Sequence, residues 1–176
     1  DFDLFDAQLS RIEAEFGGFL EKLDWVSLGG GIHFTGDGYP LDRLAARLRA
    51  FQQKFGVQVF LEPGEASITK TASLEVTVLD VIHNGKDVAI VDSSIEAHML
   101  DLLIYRETAK LPQDGDHAYQ IAGKTCLAGD IFGEGRFPQP LQIGDRISIA
   151  DAAGYTMVKK NWFNGVAMPA IAIREE

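Results

Sequence analysis

Cysteine is almost absent from this chain, and its scarcity limits the kinds of protein the chain can be. The 176 residues include a single cysteine, Cys126. A disulfide bond within the chain and a metal cluster built from cysteines are therefore both excluded. Reduced thiols are typical of the cytoplasm, and we expect the protein to be cytoplasmic.

Long apolar runs are also missing. No run approaches the roughly 20 residues that a membrane-spanning helix needs, and the N-terminus lacks the basic and then apolar pattern of a signal peptide. The chain begins with Asp1 and not with methionine, so we expect that a segment upstream has been removed. The composition is that of an ordinary globular protein, with 46% hydrophobic and 24% charged residues.

Basic residues are outnumbered by acidic ones. The chain has 16 Lys and Arg against 26 Asp and Glu, which gives a formal net charge of -10. Such a surface repels phosphate backbones, so nucleic acid is not expected as a partner. It attracts polycations, among which polyamines are one class of substrate.

The first part of the chain alternates between helical and strand-like patterns. Residues 3–23 and 40–55 are predicted to form amphipathic helices, the second ending at Gly56. Short β-branched and aromatic runs follow at 25–28 and 57–61. This order is typical of parallel strands with crossover helices, in which the C-terminal ends of the strands carry the chemistry. The apolar positions of the first predicted helix are Phe5, Leu9, Ile12, Phe16, Phe19 and Leu20.

A different pattern begins after residue 70, and we place a domain boundary at residue 68. The sequence His83-Asn84-Gly85 is a hairpin signal between two strand-like runs. Residues 106–116 are predicted to form an exposed polar loop. The fold class predicted for this part is an antiparallel β-domain. Its predicted strands lie within residues 74–79, 88–91, 118–121, 146–149 and 155–158.

Two motifs stand at the ends of the predicted parallel strands. Gly29, Gly30 and Gly31 allow backbone N–H groups to approach an anion closely, as a phosphate requires, although a plain tight turn has the same composition. Glu62 precedes Pro63 and Gly64. A carboxylate at this position can pair with the protonated ring nitrogen of a pyridoxal cofactor, or it can simply cap a helix or lie in a surface turn.

Two further motifs lie in the second half. The segment 125–130 contains Cys126 and Asp130, and it is either a reactive thiol loop or a small buried thiol before a Gly-Asp turn. Tyr155 follows Gly154 and precedes the segment 161–165, Asn-Trp-Phe-Asn-Gly. Its hydroxyl is either a ligand group or the polar end of a core residue.

Together, the order and spacing of these motifs resemble the ornithine/diaminopimelate decarboxylase family, across nearly the whole chain. The resemblance is strongest to the branch that acts on carboxynorspermidine. It implies the C-terminal part of a (β/α)8 barrel, residues 1–68, followed by residues 69–176 as mainly the C-terminal β-domain, whose last segment can return toward the barrel. The segments that carry the resemblance are 25–33, 62–66, 126–130 and 161–165.

The resemblance also implies pyridoxal 5′-phosphate as cofactor and a role for each motif residue. Gly29, Gly30 and Gly31 would bind the cofactor phosphate, together with the hydroxyl group of Tyr155. Glu62 would pair with the pyridine nitrogen. The resemblance further implies a homodimer with active sites shared between subunits. Two residues would reach into the partner subunit's site, Asp130 and Cys126, the latter as the group that protonates the substrate α-carbon.

Several departures from commoner family members concern the substrate. Many members have an arginine that helps to hold phosphate where this chain has Glu65, and a carboxylate would repel that phosphate. Glu65 suits a substrate ammonium group instead. In residues 92–101, where the family places its specificity element, Glu96, His98 and Asp101 stand in an apolar background. We predict Asp101 and Glu65 as anchors for distal amines, whereas a histidine such as His98 is more often structural than a ligand. The resemblance also implies that Asp130 binds a substrate amine. However, ornithine and diaminopimelate decarboxylases have an acidic residue directly after the cysteine, and this chain has Leu127 there.

One family feature is absent. Members bind the cofactor through a Schiff-base lysine at the first barrel strand, and no lysine here stands in a matching context. The resemblance therefore implies that the chain is roughly the last half of a family member and incomplete alone. The predicted function is decarboxylation of carboxynorspermidine or carboxyspermidine. The alternatives are a diaminopimelate decarboxylase, which Glu65 disfavours, a non-enzymatic pyridoxal-phosphate carrier, and an inhibitory homologue that binds a partner subunit.

Overall fold

The computed structural model describes residues 1–174. The chain divides into two compact units, residues 1–69 and residues 70–176. The division lies next to residue 68, where the sequence changes character. None of the helices in the described range has the length and apolar character needed to cross a membrane.

The first unit consists of two helices and two short parallel strands. Asp1 caps the first helix by accepting a hydrogen bond from the Asp3 N–H at 2.8 Å. Gly56 ends the second helix with a φ of 69°, a left-handed conformation that glycine adopts without steric cost. The elements are α1 (Phe2–Leu20), β1 (Trp25–Ser27), α2 (Leu41–Phe55) and β2 (Gln58–Phe60). The buried core of this unit comprises Leu9, Leu20, Phe51, Phe55 and Val57.

The predicted order of elements and the parallel pairing of strands are confirmed in this unit, where Val26 lies opposite Val59. The predicted apolar face of α1 is only partly correct. Leu9 is buried, but Phe16 and Phe19 are 53% and 60% exposed. An apolar period shows which face of a helix is hydrophobic, but it does not show how far a neighbouring element covers that face.

The second unit is built around a five-stranded sheet with short helices. Along β3, the side chains of Leu74, Val76 and Val78 are buried and those between them are more exposed, because successive residues point to opposite faces of a strand. The strand order is β6-β5-β4-β3-β7. The elements are β3 (Ser73–His83), β4 (Asp87–Val91), α3 (Ile95–His98), α4 (Leu100–Tyr105), β5 (His117–Ala122), β6 (Ile131–Phe137), β7 (Arg146–Ala150) and α5 (Gly154–Val158).

Strand β3 changes partner halfway along its length. Its first half pairs with β7, with Ser73 opposite Ala150. Its second half forms the predicted hairpin with β4, in which His83 lies opposite Asp87. The register shifts between Val78 and Asp80. The hairpin turn contains Gly85 with a φ of 70°, which confirms the turn signal in the sequence.

Two predictions for this unit are wrong, and one strand was missed. The sheet is mixed and not antiparallel, because β4 and β5 are parallel and are joined by a crossover that contains α3 and α4. Residues 155–158 lie in a helix, α5, and not in a strand. Strand β6 was not predicted, because Gly133 and Gly135 interrupt its β-branched and aromatic pattern. The loop 106–116 has no helix or strand, as predicted, but Ala109 and Leu111 in it are buried.

Asp151 stabilises the segment that follows β7. Its carboxylate accepts a hydrogen bond from the Lys70 N–H at 2.8 Å and another from the Lys110 ammonium. The hydrogen bond from Lys110 is the main reason why the pKa of Asp151 lies below its ordinary value of 3.8. Asp151 therefore has a lower pKa in the folded protein than in the unfolded protein. Its charge stabilises the fold fully at a pH above the unfolded-state pKa, and this stabilisation is lost as the pH falls through the folded-state pKa.

Replacement Asp151→Asn removes this charge and is therefore expected to lower the free energy of unfolding at pH 7. The expected loss is about 1 kcal/mol, because Lys110 is largely exposed and solvent screens its interaction with Asp151. Asparagine tolerates the positive φ of 59° at this position, so the change removes charge without backbone strain. Urea unfolding of the full-length protein at pH 7 and pH 3 measures the effect, and the difference from wild type should shrink at pH 3. The exposed-loop variant Asp114→Asn is the matched control; an equal loss of stability in both variants would contradict the prediction.

Candidate active site

The glycine loop, residues 29–31, follows β1 and lies against the end of β2. The Glu62 N–H donates a hydrogen bond to the Gly29 carbonyl at 2.9 Å. A Cβ atom added to Gly30 would lie 2.5 Å from the Glu62 carbonyl oxygen, so a larger residue would push the two segments apart. Gly29 and Gly31 have φ angles of 72° and 81°. The close approach and the left-handed backbone together explain why three glycines stand here.

The same loop has the properties of a phosphate cradle. Within residues 1–174, no acceptor receives a hydrogen bond from the N–H of Gly30 or Gly31. Both residues line an open cavity of about 180 Å³. Successive backbone N–H groups with positive φ between them form a concave anion site. The loop therefore fits the phosphate group predicted for it.

Glu62 stands directly beside this loop. Its Oε1 atom accepts a hydrogen bond from the Ser27 hydroxyl at 2.5 Å. The Ser27 oxygen in turn accepts one from the Gly29 N–H at 3.1 Å. Glu62 is exposed, and its second oxygen has no partner among the described residues. An oriented carboxylate with one open oxygen fits a protonated ring nitrogen as its partner.

Glu65 follows in a short 3₁₀ turn, residues 65–67. It is half-buried. The turn is held by a hydrogen bond from the Thr35 hydroxyl to the Ala66 carbonyl at 2.8 Å. The glycine loop, Glu62 and Glu65 thus all belong to the first unit.

Cys126 lies in the second unit, in a segment that we name the thiol loop, residues 125–130. The thiol is exposed. Asn164 donates a hydrogen bond from Nδ2 to Cys126 Sγ at 3.1 Å. Asn164 belongs to a tight turn, residues 161–165, which we name the Asn turn. The alternative of a small buried thiol is thus excluded, and the thiol is available to a reactant.

Asp130 is 4% exposed and holds the thiol loop against α3. Oδ1 accepts a hydrogen bond from the Ile95 N–H at 2.8 Å. Oδ2 accepts one from the Thr125 N–H at 3.0 Å and one from the Thr125 hydroxyl at 2.5 Å. A Cβ atom added to Gly123 would overlap this carboxylate. Because both oxygens are already engaged, we propose a positioning role for Asp130 in place of the predicted substrate contact.

The specificity segment, residues 92–101, carries two carboxylates with unusual surroundings. Asp101 Oδ2 accepts a hydrogen bond from the Thr156 hydroxyl at 2.7 Å. Glu96 Oε1 receives a long one, 3.4 Å, from Asn161 Nδ2. The other oxygens, Glu96 Oε2 and Asp101 Oδ1, are buried without a hydrogen-bond partner among the described residues. A buried carboxylate oxygen without a donor is costly, so each of these atoms fits a cationic ligand group.

His98 lies between these two carboxylates in sequence and is 5% exposed. Its Nδ1 atom is 2.7 Å from the Ser93 hydroxyl oxygen. Burial lowers the pKa of His98 below its ordinary value, an effect that the Ala167 carbonyl only partly offsets. The imidazole is therefore neutral at pH 7, and it does not bring a positive charge into the segment.

Tyr155 stands near the start of α5 and is 52% exposed. The Lys159 ammonium lies 4.8 Å from the centre of its ring. Sequence reasoning did not assign roles to Ser27, Asn161 or Asn164, although all three lie within the motifs. The sequence shows each of them only as a polar residue in a tight turn or at the end of a strand. Such residues are common in proteins, so the pattern does not identify a hydrogen-bond partner.

The sequence of the chain is similar to those of several known proteins. Residues 34–153 match the family model described as pyridoxal-dependent decarboxylase, C-terminal sheet domain. The chain is 68% identical to a carboxynorspermidine/carboxyspermidine decarboxylase of Herminiimonas arsenicoxydans, over 99% of this chain and 48% of that protein. It is 42% identical to a carboxyaminopropylagmatine decarboxylase of Synechocystis, over 93% of this chain and 44% of that protein.

A solved structure gives the same result. The chain superposes on carboxynorspermidine decarboxylase complexed with norspermidine from Campylobacter jejuni, with a TM-score of 0.86 and 40% sequence identity, over 93% of this chain and 49% of that one. The chain thus spans about half the length of the relatives it matches. The predicted cofactor, pyridoxal 5′-phosphate, agrees with the family match. On its sequence and its fold, the chain belongs to the pyridoxal-dependent decarboxylase family and contains the family's C-terminal sheet domain.

Proposed function

We propose that the full-length protein removes the α-carboxylate of carboxynorspermidine or carboxyspermidine with pyridoxal 5′-phosphate, and so produces norspermidine or spermidine. The proposal is supported by the 68% identity to the Herminiimonas arsenicoxydans enzyme. The relative bound to norspermidine has the same fold over 93% of this chain. A role in polyamine biosynthesis follows from these products.

The observation in the structure that carries the proposal is the pair of unsatisfied carboxylate oxygens in the specificity segment. Glu96 Oε2 and Asp101 Oδ1 are buried and lack donors among residues 1–174. A substrate with ammonium groups along its chain supplies the missing donors, because each ammonium has three N–H bonds and a positive charge. Diaminopimelate carries a second carboxylate at its distal end, which two acidic side chains would repel.

Two further features favour the same class of substrate. The first is His98, whose pKa is lowered by burial, so that its imidazole adds no positive charge to the segment. The second feature is Glu65 in the first unit, to which we also assign a distal ammonium group. Acidic residues at both positions suit a substrate with several cationic groups better than an amino acid with one.

We assign the cofactor-binding groups as follows. The N–H groups of Gly30 and Gly31 hold the phosphate, together with Gly29 and the Tyr155 hydroxyl. Glu62 keeps the pyridine nitrogen protonated, and Ser27 orients its carboxylate. When bound, the cofactor supplies an electron sink that stabilises the carbanion formed by loss of carbon dioxide. The thiol of Cys126 then delivers a proton to the α-carbon of the substrate.

The architecture of the full-length protein is part of the same proposal. We assign residues 1–68 to the C-terminal part of a (β/α)8 barrel, which agrees with the parallel pairing of β1 and β2. Residues 69–176 form mainly the C-terminal β-domain. We also propose a homodimer in which Cys126 serves the partner subunit's active site. Analytical ultracentrifugation of the full-length protein tests the dimer, and a monomer at working enzyme concentration would contradict it.

A panel of substrates tests the proposed reaction. Release of carbon dioxide by the full-length protein is measured with carboxynorspermidine, carboxyspermidine, carboxyaminopropylagmatine and diaminopimelate. The first two are expected to have the highest kcat/KM, with diaminopimelate at least about 10³-fold lower, because the carboxylates of Glu96 and Asp101 repel its distal carboxylate. Preference for diaminopimelate would refute the proposal. Preference for carboxyaminopropylagmatine would keep the reaction and change the substrate.

The variant Asp101→Asn tests how the substrate is held. Its amide retains an acceptor for the Thr156 hydroxyl but loses the negative charge. We expect KM for carboxynorspermidine to rise about tenfold with a smaller change in kcat, because the lost contact is distant from the reacting carbon. Asp114→Asn, in an exposed loop, is the matched control. A reduced kcat at unchanged KM would show that Asp101 does not bind the distal amine.

A further inference from the structure

Three segments of the second unit are joined into a closed ring of hydrogen bonds around Cys126. Asp130 connects the thiol loop to the first residue of α3, the Ile95 N–H. The Asn turn connects α3 to the sulfur atom: Asn161 contacts α3 at one end and Asn164 contacts Cys126 Sγ at the other. The position of the thiol therefore depends on the position of the specificity segment, to which the Asn turn connects it.

Asn161 fixes the Asn turn to the backbone of α3 with two hydrogen bonds, and a third shapes the turn. Its N–H donates to the Ala97 carbonyl at 2.7 Å, and its Nδ2 donates to the Glu96 carbonyl at 3.0 Å. Its Oδ1 accepts from the Phe163 N–H at 2.7 Å and so shapes the turn itself. Val166, the next residue after the turn, is 3% exposed. The turn is thus anchored at both ends.

Asn164 projects from this anchored turn to the sulfur atom. Its φ of 51° is left-handed, a conformation that asparagine tolerates better than most residues with a Cβ atom. The distance of 3.1 Å between Nδ2 and Sγ is short for a hydrogen bond to sulfur. An exposed thiol on a loop has several rotamers available, and a donor at this distance selects one of them.

We propose that Asn164 is a positioning residue for the Cys126 thiol, which it orients toward the substrate α-carbon. This inference rests on the function proposed above, in which the thiol donates the proton. The N–H of Asn164 also stabilises the negative charge left on sulfur after the proton has been transferred. Asn161 fixes the Asn turn to α3, which is part of the specificity segment. The orientation of the thiol therefore depends on the segment to which we assign the substrate's distal amines.

Misplacement of the thiol has a chemical consequence that can be measured. A proton delivered to the α-carbon gives the amine product and regenerates the cofactor. If the misplaced thiol did not deliver its proton to the α-carbon, protonation on the cofactor followed by reaction with water would release an aldehyde and pyridoxamine phosphate in place of the amine and pyridoxal phosphate. The ratio of aldehyde to amine therefore reports the direction of protonation, independently of how fast carbon dioxide is lost.

Two variants of the full-length enzyme separate positioning from folding. Asn164→Gly retains the left-handed backbone but removes the donor, and Asn164→Asp has nearly the same shape but places a carboxylate beside the sulfur. We expect the fraction of turnovers that end in aldehyde to rise on the order of tenfold in Asn164→Gly, and further in Asn164→Asp. The melting temperature of each variant with bound cofactor serves as the folding control.

A second readout does not depend on turnover. Alkylation of Cys126 by iodoacetamide, followed by the mass of its peptide, is expected to slow severalfold in Asn164→Gly and about tenfold in Asn164→Asp, because the thiolate is the reactive form and a neighbouring carboxylate opposes it. Wild-type rates and wild-type product ratios in both folded variants would overturn the inference. If wild type releases no carbon dioxide from carboxynorspermidine, the proposed function fails, and slower alkylation in the variants still establishes contact between Asn164 and the thiol.

Discussion

Replacement of Glu62 by alanine in the full-length protein is expected to lower kcat for decarboxylation by about 10²-fold or more, with the fold retained. The carboxylate is assigned to the pyridine nitrogen, whose protonation makes the cofactor an electron sink. Removal of one preorganised electrostatic group from an active site has an effect of this size. The fold should persist because Glu62 is exposed and the only hydrogen-bond partner of its side chain among the described residues is Ser27, whereas alanine keeps the backbone hydrogen bond to Gly29.

Loss of carbon dioxide and the visible absorption of the bound cofactor are measured on the same samples. Glu62→Gln is the informative companion, because it has the same shape but no negative charge to hold a proton on the ring nitrogen. It should be nearly as impaired as Glu62→Ala. The control Glu21→Gln changes an exposed residue at the end of α1. Full activity in Glu62→Gln would show that charge is not required, and it would remove the pyridine-nitrogen assignment.

Replacement Asp130→Asn is expected to cost roughly 3 kcal/mol of unfolding free energy, because buried donors would lose their acceptor. One carboxylate oxygen serves the Ile95 N–H and the other serves Thr125. An amide has a single oxygen, so its NH₂ group must face one of these donors. The crowding at Gly123 leaves little room for the side chain to move away.

Hydrogen exchange locates this loss. The amides of Ile95 and Thr125 should exchange faster in Asp130→Asn than in wild type, whereas those of the β3–β4 hairpin should change little. Asp116→Asn, in the exposed loop before β5, is the control for removal of one negative charge. If Asp130 binds substrate and does not hold the loops, exchange at both amides will be unchanged while KM rises.

The fold was predictable where the signal is local. Two features depend on a glycine with positive φ: the hairpin turn at Gly85 and the end of α2 at Gly56. In both cases the glycine can be read directly from the sequence. The helix α5 was not predictable, because Tyr155 to Val158 has the β-branched and aromatic composition of a strand. Whether β4 and β5 run parallel depends on how the intervening crossover packs, which no short run of residues encodes.

The candidate site shows the same division. The glycine loop and Glu62 were predicted by residue type and by position after a strand, and the structure places them side by side. The partners of the key groups were not predicted. Asp130 bonds to Ile95 across 35 residues, and Asn164 to Cys126 across 38. Such contacts arise from tertiary packing, so their pairing is not written in either motif.

The exchange of partners along β3 has a consequence for how the protein emerges from the ribosome. The second half of β3 finds its partner β4 almost immediately, but the first half must wait for β7, because Ser73 pairs with Ala150. Until then, the backbone N–H and C=O groups of Leu74 and Val76 lie on an open edge that can recruit another nascent strand. A translational pause, or a premature stop before β7, should therefore favour aggregation of this protein more than the same event placed after residue 150.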